Sequence, residues 1–265
     1  MPWVYIGTSE LKSAYVWTTP VKEIYVWTTK VRPSGGGSFT PTANTIAYLP
    51  LNWDVVDYSS YNRSFTVLGS TSAEWTPVFE TLSSWIKVAN FIATNNVNSN
   101  WFAYTTNVTD MPSSWNMTVS CRMNWSWTTN YFQDIITFRT MSWSTDRYTR
   151  MVNISQSDNR FLFHGRSQEK SSQSPTVWTW YNYLCTVSGS NCYIYINGSQ
   201  IYSSAYSYWS RATSFNIWGF LRSGYTNSRY EVYNWKLSEV IVENVARTAQ
   251  EVTDYYNSTK SKYWL

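Results

Sequence analysis

Apolar and polar residues alternate in short runs along most of this chain, with turn residues between the runs. From Asn44 onward ten segments read this way: AYLPL (47–51), WFAYTT (101–106), NMTVSCRMNW (116–125), DIITFRT (134–140), RYTRMVNIS (147–155), RFLFHG (160–165), YNYLCTV (181–187), CYIYING (192–198), SFNIWGFL (214–221) and LSEVIVEN (237–244). Alternation rich in Val, Ile, Tyr, Phe and Thr is a strand signal, because these side chains fit a half-buried pleated surface. Many strands at short spacing predict an all-β sandwich or barrel. One helix is predicted near the end. There Thr248-Ala249-Gln250-Glu251 forms a capping box, in which Thr accepts from the first turn and Glu reaches back, opening a short helix through Asp254-Tyr255-Tyr256.

The first 33 residues follow a different rule. They hold three ten-residue repeats: VYIGTSELKS from Val4, AYVWTTPVKE from Ala14 and IYVWTTKVRP from Ile24. Each predicts a short strand such as Tyr15-Val16, a turn, and a second short strand such as Pro20-Val21-Lys22. Units this small cannot bury a core alone, so they pack on one another, on the rest of the chain or on other subunits. Tyr5, Tyr15, Tyr25, Val16 and Val26 are the candidate assembly residues. The stretch PSGGGSFTPT then marks flexible chain between prolines. We divide the chain into a β-repeat module (1–33), a linker (34–43) and a main domain (44–265).

Composition narrows the partners. The 265 residues carry a net charge of +4, and charged residues are only 14% of the chain against 19% aromatics. No basic run points to nucleic acid. No run approaches the ~20 apolar residues of a membrane span. The start, MPWVYIGTSELK, lacks the basic and apolar regions of a secretory signal. An odd count of three cysteines argues against a disulfide framework. A two-residue Ser188-Gly189 turn would set Cys185 opposite Cys192; a cross-strand bridge is one reading, two buried thiols on adjacent strands the preferred one.

Two stretches carry a likeness to a known family. WYNYLCTVSGSNCYIYINGSQIYS (180–203) resembles the hairpin of laminin-G-like, concanavalin A-like lectin/glucanase domains, with its Trp-Tyr start and its "Y-I-N-G" end. KLSEVIVENVARTAQEVTDYYNSTKSKY (236–263) is similar to the closing strand and helix of such domains in phage structural and environmental bacterial proteins, and AYLPLN (47–52) to their opening strand. The resemblance implies an antiparallel jelly-roll β-sandwich with one short C-terminal helix, here preceded by the small β-repeat module. It also implies a Ca²⁺ at a loop rim, for which Asp146 and Asp158 are the candidate ligands.

Tryptophan stands where this pattern asks for glycine. The chain has 17 Trp and only 10 Gly. Gly7 of the first repeat becomes Trp17 and Trp27 in the next two. Against the family pattern Trp178, Trp218, Trp235 and Trp264 also fall on glycine positions, Trp235 in an expected "N-G" turn, whereas Trp180 matches a family Trp. A gene that reads UGA as glycine, written out with UGA as Trp, accounts for all six.

Chemistry is weakly marked. Glu239 and Glu243 share a strand face, but lie on the closing strand and lack an intervening acid, so catalysis is not expected from them. His164, the single histidine, ends an apolar strand with no nucleophile elbow nearby. Sugars need an aromatic platform plus planar polar groups, for which Trp143, Arg147, Arg166, Tyr206, Trp209 and Arg222 are the candidates. The expected function is a non-catalytic virion (phage tail or capsid-associated) or extracellular surface protein, anchored by its repeats, whose jelly roll binds glycans or a host surface. Its partners are copies of itself, other virion or surface proteins and host glycans. The alternatives are a lattice or decoration subunit contacting its own copies and, less favoured, a glycan hydrolase.

Overall fold

The computed structural model describes residues 15–16, 19–20, 24–26, 29–31, 39–52, 54–69, 78–82, 87–91, 102–107, 116–125, 133–140, 147–155, 158–164, 168–205, 214–217 and 235–262. The chain divides into two compact units, Met1–Phe39 and Thr40–Leu265.

In the first unit β1 (Tyr15–Val16) pairs antiparallel with β2 (Thr19–Pro20), and β3 (Ile24–Val26) with β4 (Thr29–Val31). Val16 is paired with Thr19 and Val26 with Thr29. Two residues therefore separate the partners in each hairpin, the commonest connection of all. The second strand of a repeat begins earlier than the predicted Pro20-Val21-Lys22. Tyr15, Val16, Tyr25 and Val26 are strand residues, while Tyr5, Trp17 and Trp27 lie outside the described residues.

The second unit is an antiparallel β-sandwich of jelly-roll type. Its strands are β5 (Thr45–Leu49), β6 (Thr66–Gly69), β7 (Val78–Thr81), β8 (Lys87–Phe91), β9 (Phe102–Asn107), β10 (Asn116–Trp125), β11 (Gln133–Thr140), β12 (Arg147–Ile154), β13 (Phe161–His164), β14 (Gln168–Lys170), β15 (Trp180–Ser188), β16 (Asn191–Ile196), β17 (Ser199–Ala205), β18 (Ser214–Ile217) and β19 (Trp235–Glu243). One sheet has eight strands, ordered β17-β16-β15-β10-β19-β8-β7, with β5 also pairing β19. The other has seven, ordered β14-β13-β12-β11-β18-β9-β6.

Alternation explains the core. Met117, Val119, Cys121, Met123 and Trp125 of β10 point inward, where they meet Phe138, Val152, Ile154, Phe161 and Phe215 of the facing sheet in one apolar cluster. Burying each such side chain contributes roughly 1.5–3 kcal/mol. Phe161 meets Tyr183 edge-on at 5.3 Å, and the Tyr183 hydroxyl donates to the Leu162 carbonyl at 2.8 Å, so a polar tip is satisfied inside the core.

The opposite positions of β10, Thr118, Ser120, Arg122 and Asn124, are buried as well. The C-terminal segment reaches two of them: Thr118 donates to the Val245 carbonyl and accepts from the Arg247 amide, and Arg122 donates to Thr259. Its helix α1 (Ala249–Thr259) begins at the predicted capping box: Thr248 accepts from the Glu251 amide, and the Glu251 carboxylate accepts from the Thr248 amide at 2.7 Å. Val252 packs against Leu184 and Tyr195. Asn197 (φ 51°) and Gly198 (φ 78°) form the tight turn between β16 and β17, as the Asn-Gly pair of a type I′ hairpin requires. The helix presses on that glycine: a Cβ there would come within 2.9 Å of Tyr256.

Two turn assignments are corrected. Ser188 pairs with Asn191, so the turn is Gly189-Ser190 rather than Ser188-Gly189. That register sets Cys192 opposite Val187 and Cys185 opposite Ile194; both thiols are free and buried, as is Cys121. Trp235 is the first residue of β19, paired with Trp125 on one side and Phe91 on the other, not a turn residue.

Candidate functional site

The carboxylates of the closing strand are held by arginines. Between Ser120↔Ile241 and Arg122↔Ser238 the ladder slips by one residue, a β-bulge with Glu239 in the left-handed region at φ 55°. The bulge turns Glu239 toward Arg122, whose Nε donates to it at 2.9 Å, both side chains being almost fully buried. The Tyr255 hydroxyl donates to the same oxygen at 3.0 Å, and Arg122 also donates to Thr259. Glu243 pairs with Arg247 at 2.6 Å. Both acids thus serve to fasten the C-terminal segment. His164 ends β13, opposite Arg150 and Gln168.

Burial, the dominant cause, raises the Cys121, Cys185 and Tyr183 pKa values far above their ordinary range. Thiols in that state are poor nucleophiles.

Of the predicted sugar-contact residues, Arg147 opens β12, paired with Thr140, while Trp143, Arg166, Tyr206, Trp209 and Arg222 lie outside the described residues. So does Asp146. Asp158 lies between β12 and β13, 3.5 Å from the Arg160 guanidinium. Among the described residues no group of three acids, histidines or cysteines is arranged to hold a metal. Trp178 is a surface residue, 66% exposed, with φ 62°. Leu51, Asn62, Asn159, Asn197 and Glu239 share a positive φ, so this backbone alone does not mark a glycine. Trp218 and Trp264 lie outside the described residues.

The segment between β5 and β6 carries a site the pattern reading missed. Asp57, 1% exposed, organises it. Its Oδ1 accepts from the Tyr48 amide at 3.0 Å and the Ser59 amide at 2.9 Å; its Oδ2 accepts from the Arg63 amide at 3.1 Å. The Arg63 guanidinium sits 3.6 Å from that Oδ2 and donates to the Ile46 carbonyl. The Tyr58 amide donates to the Tyr48 carbonyl at 2.7 Å. With its backbone fastened inward, the segment exposes Val56, Tyr58 (37%) and Tyr61 (42%). The Tyr58 hydroxyl donates to Asp54 at 3.3 Å, and the Arg63 guanidinium lies 4.2 Å from the Tyr61 ring centre. The local signal was the Asx turn Asp57-Tyr58-Ser59; its distant partners Tyr48 and Ile46 carry no sequence mark.

No family model and no curated protein matches this chain. Solved structures do. Domain 4 of AbnA, a GH43 extracellular arabinanase from Geobacillus stearothermophilus solved with arabinotriose, is 14% identical at a TM-score of 0.59, the match covering 80% of this chain and 98% of that domain. Trypanosoma rangeli sialidase in complex with sialic acid is 14% identical at 0.57, over 87% of this chain and 35% of the enzyme. The binding domain of Paraclostridial Mosquitocidal Protein 1 is 14% identical at 0.56, over 81% and 52%. At such identities the likeness establishes the fold alone, an antiparallel β-sandwich.

Proposed function

We propose that the sandwich is a non-catalytic glycan-binding module of a virion or extracellular surface protein, anchored by its N-terminal repeats. One observation carries this: the chain matches nearly the whole of an arabinanase domain solved with an arabino-oligosaccharide. Toxin binding domains with the same sandwich, one solved with a sialylated ligand, point the same way. Glu239 and Glu243, each engaged by an arginine, favour binding over hydrolysis. The test is a glycan array probed with the full chain, with and without Ca²⁺. Selective binding without release of cleaved sugar is expected; no signal above background on any glycan overturns the proposal.

The second reading, a lattice subunit contacting its own copies, is favoured by the β1–β2 and β3–β4 hairpins, which are too small to bury a core. Sedimentation of the full chain against one lacking residues 1–33 tests it. Assembly that disappears with the repeats supports it, and a monomer in both cases removes it.

The positive φ of Trp178 supports glycine as the native residue there through UGA reassignment. An intact mass of native protein lower than the written sequence by whole Trp-to-Gly differences is expected, and a mass equal to the written sequence ends the idea.

A further inference from the structure

We propose that the segment from Asp54 to Arg63 is a carbohydrate platform for uncharged glycans, with Tyr58 and Tyr61 stacking on sugar faces and Asp54 accepting from sugar hydroxyls. It rests on the glycan-binding function above and gives that function a place and a ligand class.

Exposed apolar surface is concentrated here. Of the six exposed large hydrophobic residues among those described, Val56, Tyr58 and Tyr61 belong to this one segment. Single exposed residues need no explanation, but a group on one loop does. The group is also held in place. Asp57 accepts three backbone amides from positions 48, 59 and 63 and pairs with Arg63. The Asn62 amide donates to the Ser59 carbonyl at 3.1 Å and the Tyr61 amide to the Ser59 hydroxyl at 3.3 Å. A preorganised platform binds a ligand without first having to be ordered.

The chemistry beside the rings fits a sugar. A pyranose presents C–H bonds on its faces, which suit an aromatic ring, and hydroxyls at its edges. An ionised carboxylate is acceptor-only and takes those hydroxyl protons; Asp54 already accepts the Tyr58 hydroxyl. Charge selects among sugars. The segment holds Asp54, Asp57 and Arg63, and Arg63 is turned to Asp57, so a sialylated ligand would bring a carboxylate toward Asp54.

Size argues against a protein partner. At the order of 200 Å² for an aromatic side chain, the exposed fractions of Tyr58 and Tyr61 leave roughly 160 Å². That is well short of the ~800 Å² each partner contributes to a stable protein interface, and near the face of one or two sugar rings.

The test is calorimetric titration of the full chain with arabinotriose, lactose and 3′-sialyllactose, for the wild type and for Tyr58→Ala, Tyr61→Ala and Asp54→Asn. Tyr58 and Tyr61 are exposed and Asp54 is half-buried, so the thermal midpoint of each variant is measured beside its affinity and titrations are run where the variant is folded; Asp57→Ala, which frees the segment, is the fourth variant. Expected is binding of a neutral probe that weakens about tenfold or more in each Tyr variant, weakens in Asp57→Ala, and is better for lactose than for 3′-sialyllactose. Wild-type-like affinity in Tyr58→Ala and Tyr61→Ala would overturn the site while glycan binding stands. Preference for 3′-sialyllactose, lost in the Tyr variants, would overturn the charge assignment. A wild type that binds none of the probes, nor any glycan on an array, overturns site and function together.

Discussion

Two regions of the sandwich are held by the same chemical pair and are used oppositely. On the outer side of β10, Arg122 and Glu239 meet at 2.9 Å and fasten the C-terminal helix. In the segment after β5, Asp57 and Arg63 lie 3.6 Å apart and fasten a loop. The difference lies in where the aromatic goes. Tyr255 is drawn inward: its hydroxyl reaches Glu239, and its ring lies 4.7 Å from the Arg247 guanidinium. Tyr58 and Tyr61 are pushed outward, because Asp57 pulls in the backbone around them. A buried carboxylate bound to side chains closes a surface. One bound to main-chain amides presents what those amides carry.

The largest effect should come from breaking the closing pair. Glu239→Ala leaves Arg122 as an uncompensated buried charge, and a loss of about 3–5 kcal/mol in denaturant unfolding is expected. Glycan affinity measured where the variant is still folded should not change. A loss under about 1 kcal/mol, a surface pair's worth, would mean the helix is held by packing alone.

The presenting pair should break with a smaller loss and a functional signature. Asp57→Ala removes the acceptor of three amides, two of them those of the buried Tyr48 and Ser59. About 1–3 kcal/mol is expected, together with weakened sugar binding, the readout that Glu239→Ala leaves alone. Equal behaviour of the two variants in both assays would erase the distinction between closing and presenting.

Gly198→Ala probes the closed side from the sheet. It combines a left-handed backbone with a Cβ 2.9 Å from Tyr256, and about 1–2 kcal/mol should be lost, with the helix released first in hydrogen exchange.

How much of this was legible follows from where the information sits. β10 was read to the residue, because a ten-residue strand with strict alternation declares itself. The helix start was legible because its cap is local. Strands such as β17 (SQIYSSA) were missed: in this Ser-rich edge strand only the adjacent Ile201 and Tyr202 pack on the core, which writes no alternation. The burial of Arg122 was invisible, since its partners lie more than a hundred residues away at Glu239 and Thr259. So was the bulge, because nothing in SEVIVE announces a glutamate at positive φ. The tyrosine platform was hidden for the same reason: it depends on a single aspartate reaching back to β5.

Thr248→Ala should cost about 1 kcal/mol through the lost cap, and its pH dependence is specific. The Glu251 pKa is lowered, first by the Thr248 backbone hydrogen bond and then by its hydroxyl. A carboxylate with a depressed folded pKa contributes stability that is present above its unfolded value and lost as pH falls through the folded one. Acid titration of helix content in wild type and Glu251→Gln should therefore converge at low pH and differ at neutral pH. Curves that stay parallel to low pH would exclude the cap as the titrating contact.

The smallest effect tests a position on neither anchored region. Trp178 is two-thirds exposed, with its backbone at φ 62°, where a Cβ crowds the main chain and glycine does not. Trp178→Gly removes that strain and forfeits only the buried minority of the side chain. A net gain below about 1 kcal/mol is expected, where replacing a Trp would ordinarily destabilise. Sugar binding through Tyr58 and Tyr61 should be unchanged. A stability loss on Trp178→Gly would make this tryptophan a packed residue and its positive φ a conformation the fold tolerates.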